Sequence, residues 1–172
     1  LAQRSQRSRE TLDALFHKVK AKEVFYDVNI RKDFYSKALI IKGMERATIL
    51  KVNDDELPLI LSLANLNSGD YRKDVERLSA TYGLKYVIIT KGGKGSEVYG
   101  KGRWTEVEVE KSLSVVDTVG AGDSLSAGFC HTLFLTGDEK KALTVGSKIA
   151  SFVVTRKGAM PEYPESFVDS LG

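Results

Sequence analysis

Residues 71–90 read YRKDVERLSATYGLKYVIIT, and their order decides the fold class. Residues 71–82 predict a helix. Gly83 closes it, because glycine takes the left-handed C-cap conformation without a steric penalty. Residues 86–90, Y-V-I-I-T, form a short β-branched run that predicts a buried strand. The same alternation extends upstream. Residues 24–29 and 48–53 (T-I-L-K-V-N) read as strands, and residues 36–46 read as a helix. Asp54 or Asp55 is expected to start a further helix with Pro58 in its first turns, where proline is tolerated. Ser8 is expected to cap a first helix whose apolar positions Leu12, Leu15, Phe16 and Val19 recur at helical spacing. Repeated helix–strand alternation implies a mostly parallel, helix-flanked sheet of the α/β class. Downstream, residues 97–99 and 104–109 predict an antiparallel pair at a sheet edge. Two apolar helices, 122–136 and 139–155, follow a glycine-rich turn. The whole of residues 1–172 reads as one α/β domain without repeats or an obvious linker.

Composition bounds the function. The 172 residues carry a net charge of +3, with 42% hydrophobic and 28% charged residues. That is an ordinary folded protein and not a disordered one. Arg4, Arg7 and Arg9 crowd the start, but no long basic stripe with interleaved aromatics follows, so nucleic acid is not an expected partner. No stretch approaches the length of a membrane span, and no signal peptide is visible. The single cysteine, Cys130, excludes an internal disulfide and sits in an apolar run as a structural thiol. His17 and His131 share no metal-ligand spacing with it. Both read as structural residues on helices. Trp104 reads as a packing residue and Lys94 as an exposed turn lysine.

The segment carrying chemistry is D-T-V-G-A-G-D, Asp117 to Asp123. It follows a β-branched run and opens a helix. Gly120 and Gly122 allow a tight turn and close approach to a ligand. The helix N-terminus offers free N–H groups and the positive end of a dipole, which favour a phosphate. A carboxylate beside such an anion hole suits phosphoryl transfer, where donors hold the transferring group while the acid takes a proton from the attacking hydroxyl. The bland alternative is a glycine turn with Asp123 as a helix cap. The chain has no Walker A loop, since Gly93-Lys94-Gly95-Ser96 breaks that pattern. The dinucleotide fingerprint is incomplete, with Leu125 at the third glycine position.

With Ser124 to Phe129 added, this segment resembles the second signature of the ribokinase-like carbohydrate kinases, the family that includes B-type phosphofructokinases. Other landmarks occur in the family's order. Asp27-Val28-Asn29-Ile30-Arg31 resembles the D-x-N-x-R segment of fructokinase-like members, Asn53 to Glu56 the N-x-x-E motif, and Thr90 to Gly95 the T-x-G-x-x-G turn. Arg156 to Ala159 with Pro161 resembles the closing G-A…P segment, and Leu1-Ala2-Gln3-Arg4 with Ser8-Arg9 the middle of a fructokinase-type chain. The resemblance covers nearly the whole sequence. It implies a ribokinase-like three-layer αβα fold without its N-terminal part: the family's N-terminal half, with its β-sheet lid and most sugar contacts, has no counterpart here, and Leu1 is not a Met.

The resemblance also implies roles. Asp123 would be the general base, with Gly120, Ala121 and Gly122 forming the anion hole through their N–H groups. Asn53, Thr90, Gly92, Gly95, Gly120 and Gly122 would bind the nucleotide. Asn29 and Arg31 would meet sugar or phosphate, against the alternative of a surface arginine. Glu56 would serve Mg²⁺ through water, although Asn-Asp-Asp-Glu is also an ordinary helix start. Asp117 would belong to a monovalent-cation (K⁺) site with carbonyls near Val119 and Gly158. The implied activity is transfer of the ATP γ-phosphoryl group to a sugar hydroxyl, fructokinase-like, in a cytoplasmic enzyme whose parent is a homodimer. The alternatives are a family kinase acting on a nucleoside or keto-sugar acid, or a non-catalytic nucleotide-binding fragment.

Overall fold

The computed structural model describes residue 3 and residues 5–31, 35–109 and 114–172. Leu1, Ala2 and Arg4 of the opening fructokinase-like stretch lie outside the described residues. Five strands form one mixed sheet in the order β1-β2-β3-β4-β5. By compactness the chain divides into two units, Leu1–Ile89 and Thr90–Gly172.

The first unit begins with helix α1, Gln6–Lys18. Its N-cap is Ser5 and not Ser8; the Ser5 hydroxyl accepts the Ser8 N–H at 3.1 Å. The cap falls there because the turn before Gln6 has the extended backbone that a capping residue needs. The apolar spacing of α1 does not produce a buried face: Leu15 remains 53% exposed. Polar contacts tie this helix down instead. Asp13 accepts from Lys42 and Arg46, each at 2.7 Å. Both cations lie on α2, Lys37–Arg46, which Ser36 caps. Strand β1, Phe25–Asp27, is shorter than expected and runs parallel to β2, Ile49–Asn53. Helix α3, Leu57–Leu63, starts after Glu56 and not at Asp54 or Asp55, with proline in its first turn. Helix α4, Tyr71–Tyr82, ends at Gly83 with φ +65°, and β3 spans Tyr86–Thr90, both as residues 71–90 predict. Ile40, Met44, Ile49, Leu50, Val52, Ile60, Val75, Leu78, Val87 and Ile88 are buried, which supplies the apolar burial that stabilises the unit.

In the second unit β4, Ser96–Gly100, pairs antiparallel with β5, Arg103–Val107, at the end of the strand order. The rings of Tyr99 and Trp104, directly opposite each other, lie 5.4 Å apart. Helices α5, Ala121–Thr136, and α6, Glu139–Val154, pack tightly together. A Cβ on Gly128 would come within 3.0 Å of the Gly146 Cα, so two glycines set this close approach. Glu139, 1% exposed at the start of α6, is neutralised by Lys101 at 3.2 Å and by Arg103. A short helix not anticipated from sequence, α7, Glu165–Asp169, stacks Phe167 on Phe152 with ring centroids 4.3 Å apart. Among the described residues, no helix is long and apolar enough to cross a membrane.

Candidate active site

The start of α5 has no side-chain cap. Its N-cap is Gly120, at φ +83°. A Cβ at Gly120 would lie 2.7 Å from the Ala159 Cα, so both conformation and space demand glycine there. The first N–H groups of a helix have no intrahelical partner. Here the Ala121 N–H bonds the Thr118 carbonyl at 3.4 Å, at the positive end of the α5 dipole. Asp123 stands in the first turn, exposed, and is not the cap. The turn before it is pinned by Asp117. One carboxylate oxygen accepts the Val119 N–H at 3.0 Å and the other accepts the Gly158 N–H at 3.1 Å. These N–H donors, Val119 foremost, hold the Asp117 carboxyl below its usual range against a smaller opposing effect of burial. Val119 and Gly158 thus meet Asp117 through N–H groups.

A pocket of about 350 Å³ opens beside this turn. Thr90, Gly92, Gly93, Gly95 and Ser96 line one wall, and Thr118, Ala121, Gly122 and Leu125 line another. Val109, Val115 and four residues of α6 (Ser147, Ala150, Ser151 and Val154) complete it. The 90–96 turn is fixed from several sides. The Lys91 N–H donates to the Gly95 carbonyl at 2.8 Å, and the Lys91 ammonium lies 2.9 Å from the buried Glu97 carboxylate. Gly95 sits at φ +98°, and a Cβ there would come 2.2 Å from the Val107 carbonyl oxygen. The hydroxyls of Ser96 and Ser147 bond to each other at 2.7 Å, with both residues buried. Thr90, Gly92, Gly95, Ala121 and Gly122 therefore share one pocket, while Gly120 and Asp123 flank Ala121 and Gly122 along the chain. Sequence reasoning missed Ser96 and the α6 residues, because nothing local marks a helix more than twenty residues downstream as a pocket wall. Lys94 is exposed. Cys130 is half-buried, and desolvation pushes its thiol up to about 11.

The remaining candidates belong to the first unit. Glu56 accepts the Ile30 N–H at 2.6 Å through one oxygen and the Asn53 N–H at 3.0 Å through the other. Asn53 returns the bond, its side-chain oxygen accepting the Glu56 N–H at 2.7 Å. This reciprocal pairing has the pattern of a capping box but closes the turn before α3, whose own cap residue, Glu56, makes no side-chain cap bond. Asn29 adopts φ +43° and is exposed, as is Arg31. Next to them the buried Lys51 forms an ion pair with Asp27 at 2.6 Å. Burial pushes the Tyr26 phenol up, and the charges of Glu56 and Asp27 add to the effect.

Comparison with known proteins matches residues 4–166 to a family described as pfkB family carbohydrate kinase. The chain is 35% identical to a nucleoside kinase of Methanocaldococcus jannaschii over 76% of its length. It is 36% identical to probable fructokinase-5 of Arabidopsis thaliana over 81%. It spans 40% and 45% of those two proteins. The crystal structure of the Methanocaldococcus jannaschii nucleoside kinase, an archaeal member of the ribokinase family, superposes with a TM-score of 0.74 at 29% identity, covering 95% of this chain and 52% of that one. A Vibrio cholerae fructokinase, solved with fructose, ADP and calcium ion, superposes at 0.81 with 22% identity, covering 99% and 58%. The fold is ribokinase-like αβα, as the sequence implies.

Proposed function

The chain belongs to the pfkB family of carbohydrate kinases, and from that premise we propose that residues 1–172 are the nucleotide-binding and catalytic portion of an ATP-dependent sugar kinase. The observation that carries this reading is a pocket lined by both the 90–96 turn and the start of α5, which has no side-chain cap, with exposed Asp123 in the adjoining helical turn. ATP would occupy the pocket with its phosphates toward Ala121 and Gly122. The N–H groups there would stabilise charge on the transferring γ-phosphoryl group. Asp123 would take the proton from the attacking sugar hydroxyl as the new O–P bond forms and ADP leaves. Asn29 and Arg31 would meet the sugar or a phosphate.

Mg²⁺, when bound with ATP, would neutralise phosphate charge. Each Glu56 oxygen already accepts one N–H but keeps a second lone pair, which suits an indirect contact through water. Among the described residues no group of three or more His, Cys, Asp or Glu is placed to cage a metal. Mg²⁺ coordinated mainly by phosphates and waters needs no such cage. A K⁺ ion at Asp117 would use the lone pairs outside the Val119 and Gly158 bonds. A homodimeric parent acting in the cytoplasm completes the reading.

A nucleoside acceptor is the second reading, favoured by the 35% identity to a nucleoside kinase. The test is ADP release by an enzyme containing this chain, given ATP, Mg²⁺ and either fructose or a nucleoside. Faster turnover with fructose is expected. Turnover with the nucleoside alone would replace the first reading by the second. ATP binding without ADP release on any acceptor would leave a non-catalytic nucleotide-binding protein.

A further inference from the structure

We propose that the Lys91–Glu97 ion pair is a positioning device for the nucleotide: from behind the pocket wall it holds the glycine-rich loop of residues 92–95 in the shape that lines the pocket, and nucleotide affinity depends on it. The proposal rests on reading this pocket as the nucleotide site.

The tip of the loop gets little help from packing. Strand β3 ends at Thr90 and β4 begins at Ser96, and between them residues 92–95 read G-G-K-G. Glycine loses more conformational freedom on ordering than any other residue. Gly92 and Gly93 are exposed, and a Cβ built on either would meet nothing within 4 Å. Order at the tip therefore comes from bonds inside the turn and from what grips its two ends. Inside, the Lys94 N–H donates to the Lys91 carbonyl at 3.0 Å and the Gly95 N–H to the Gly92 carbonyl at 3.1 Å. The far end is gripped by the close approach of Gly95 to the Val107 carbonyl and by the Ser96–Ser147 bond.

The near end is gripped through Lys91. Its N–H closes the turn on the Gly95 carbonyl, and its ammonium spans the loop to reach Glu97 at 2.9 Å. Glu97 is a firm anchor. Its side chain is 0% exposed, and its backbone lies in β4 opposite Glu106 of β5. A carboxylate withdrawn from water is costly unless a cation compensates it, so the buried acid fixes where the ammonium must stay. The pair thus ties the residue that enters the loop to the strand that leaves it. Among the described residues, the lining takes Thr90, Gly92, Gly93, Gly95 and Ser96 from this stretch and leaves out Lys91 and Glu97. The pair acts on a bound nucleotide through the loop and not by touching it. A loop already in its bound shape spares the ligand the entropy of ordering it. Ordering the backbone of even one residue on binding costs about tenfold in affinity.

The test is calorimetric titration with ATP and Mg²⁺ of an enzyme containing this chain, in two variants of opposite charge change. Lys91→Met removes a positive charge and Glu97→Gln a negative one. Both undo the clamp, so both should weaken ATP binding, by about tenfold. The kcat at saturating ATP and the KM for the sugar should stay as in the parent, because the bound nucleotide reorders the loop and only uniform binding is lost. Lys91→Arg keeps the cation and should bind ATP as the parent does. Weaker binding by Lys91→Met with tighter binding by Glu97→Gln would overturn the proposal and make Lys91 a phosphate-attracting charge. Unchanged affinity in both folded variants would overturn it too. A fall in kcat and melting temperature alongside affinity would do the same, reducing the pair to a support of the fold. Should Lys91→Met fail to fold, Glu97→Gln decides alone, since it leaves no buried carboxylate uncompensated: weaker binding supports the clamp, and unchanged or tighter binding overturns it. A parent that binds no ATP would remove the site reading itself, and the proposal with it.

Discussion

Two helix starts in this molecule carry an acid, neither has a side-chain cap bond, and the two acids are engaged differently. At α3, Asn53 and Glu56 satisfy each other: a side-chain oxygen of each accepts the other's N–H, and the second Glu56 oxygen takes the Ile30 N–H. At α5, glycine occupies the cap position, no side chain closes the helix, and Asp123 is exposed. The first start spends its polar groups on holding the backbone. At the second, the Ala121 N–H bonds the Thr118 carbonyl and the Asp123 carboxylate stays exposed. An acid at a helix start is thus a structural element when its oxygens meet backbone donors. It is a chemical candidate when the surrounding turn leaves it unengaged.

The sharpest way to break this contrast is at Asp123. In an active enzyme carrying this chain, Asp123→Asn preserves size and the helix start but cannot accept a proton. The expected loss in kcat is about 10²–10⁴-fold, with ATP affinity and melting temperature nearly unchanged. Retention of more than half of kcat at saturating substrates would reduce Asp123 to a dipole-favoured surface acid.

Gly120→Ala attacks the same helix start through its backbone. The positive φ and the 2.7 Å approach to the Ala159 Cα mean that a methyl group must displace main chain and not a flexible tip. The left-handed conformation alone costs a non-glycine residue about 1–2 kcal/mol. Nucleotide affinity should fall by about tenfold or more as the N–H groups move, which calorimetry would read directly, 1.4 kcal/mol corresponding to tenfold. Unchanged affinity in a folded variant would show that the turn does not present the anion site.

The smallest effect on nucleotide binding is expected at the α3 start. Glu56→Gln removes one of the two acceptors and turns an amide donor toward a backbone N–H. A stability loss of about 1–3 kcal/mol is expected in chemical denaturation, with nucleotide Kd in the absence of Mg²⁺ unchanged. A variant as stable as the parent but needing far more Mg²⁺ for turnover would reverse the assignment and make Glu56 primarily a metal residue.

Much of this architecture is legible in the chain because its signals are local. Gly83 ends α4 and Ser36 caps α2 for reasons contained within a few residues. The β-branched run at 86–90 gives a strand with the stated bounds. The errors are also local in origin. Ser5 and Ser8 are chemically equivalent caps, and only the path of the preceding turn selects Ser5. Asp54, Asp55 and Glu56 are all plausible at a helix start, and the choice among them follows from Asn53 and Ile30, one of them on a different segment. Leu15 shows that helical spacing of apolar residues does not ensure a partner to bury them.

The sequence by itself determined the α/β class, the glycine turn before α5, the placement of Asp123 in its first turn and the family to which the chain belongs, because each depends on residue types at short, fixed spacing. Only the tertiary structure decided that the 90–96 turn and the start of α5 line one pocket, that α6 adds Ser147 and Ser151 to its wall, and that Glu56 is bound by backbone donors while Asp123 is exposed. Those facts depend on which segments approach one another. That is set by the packing of segments distant in sequence, such as the close backbone approach of α5 and α6 at Gly128 and Gly146, and no local pattern encodes it.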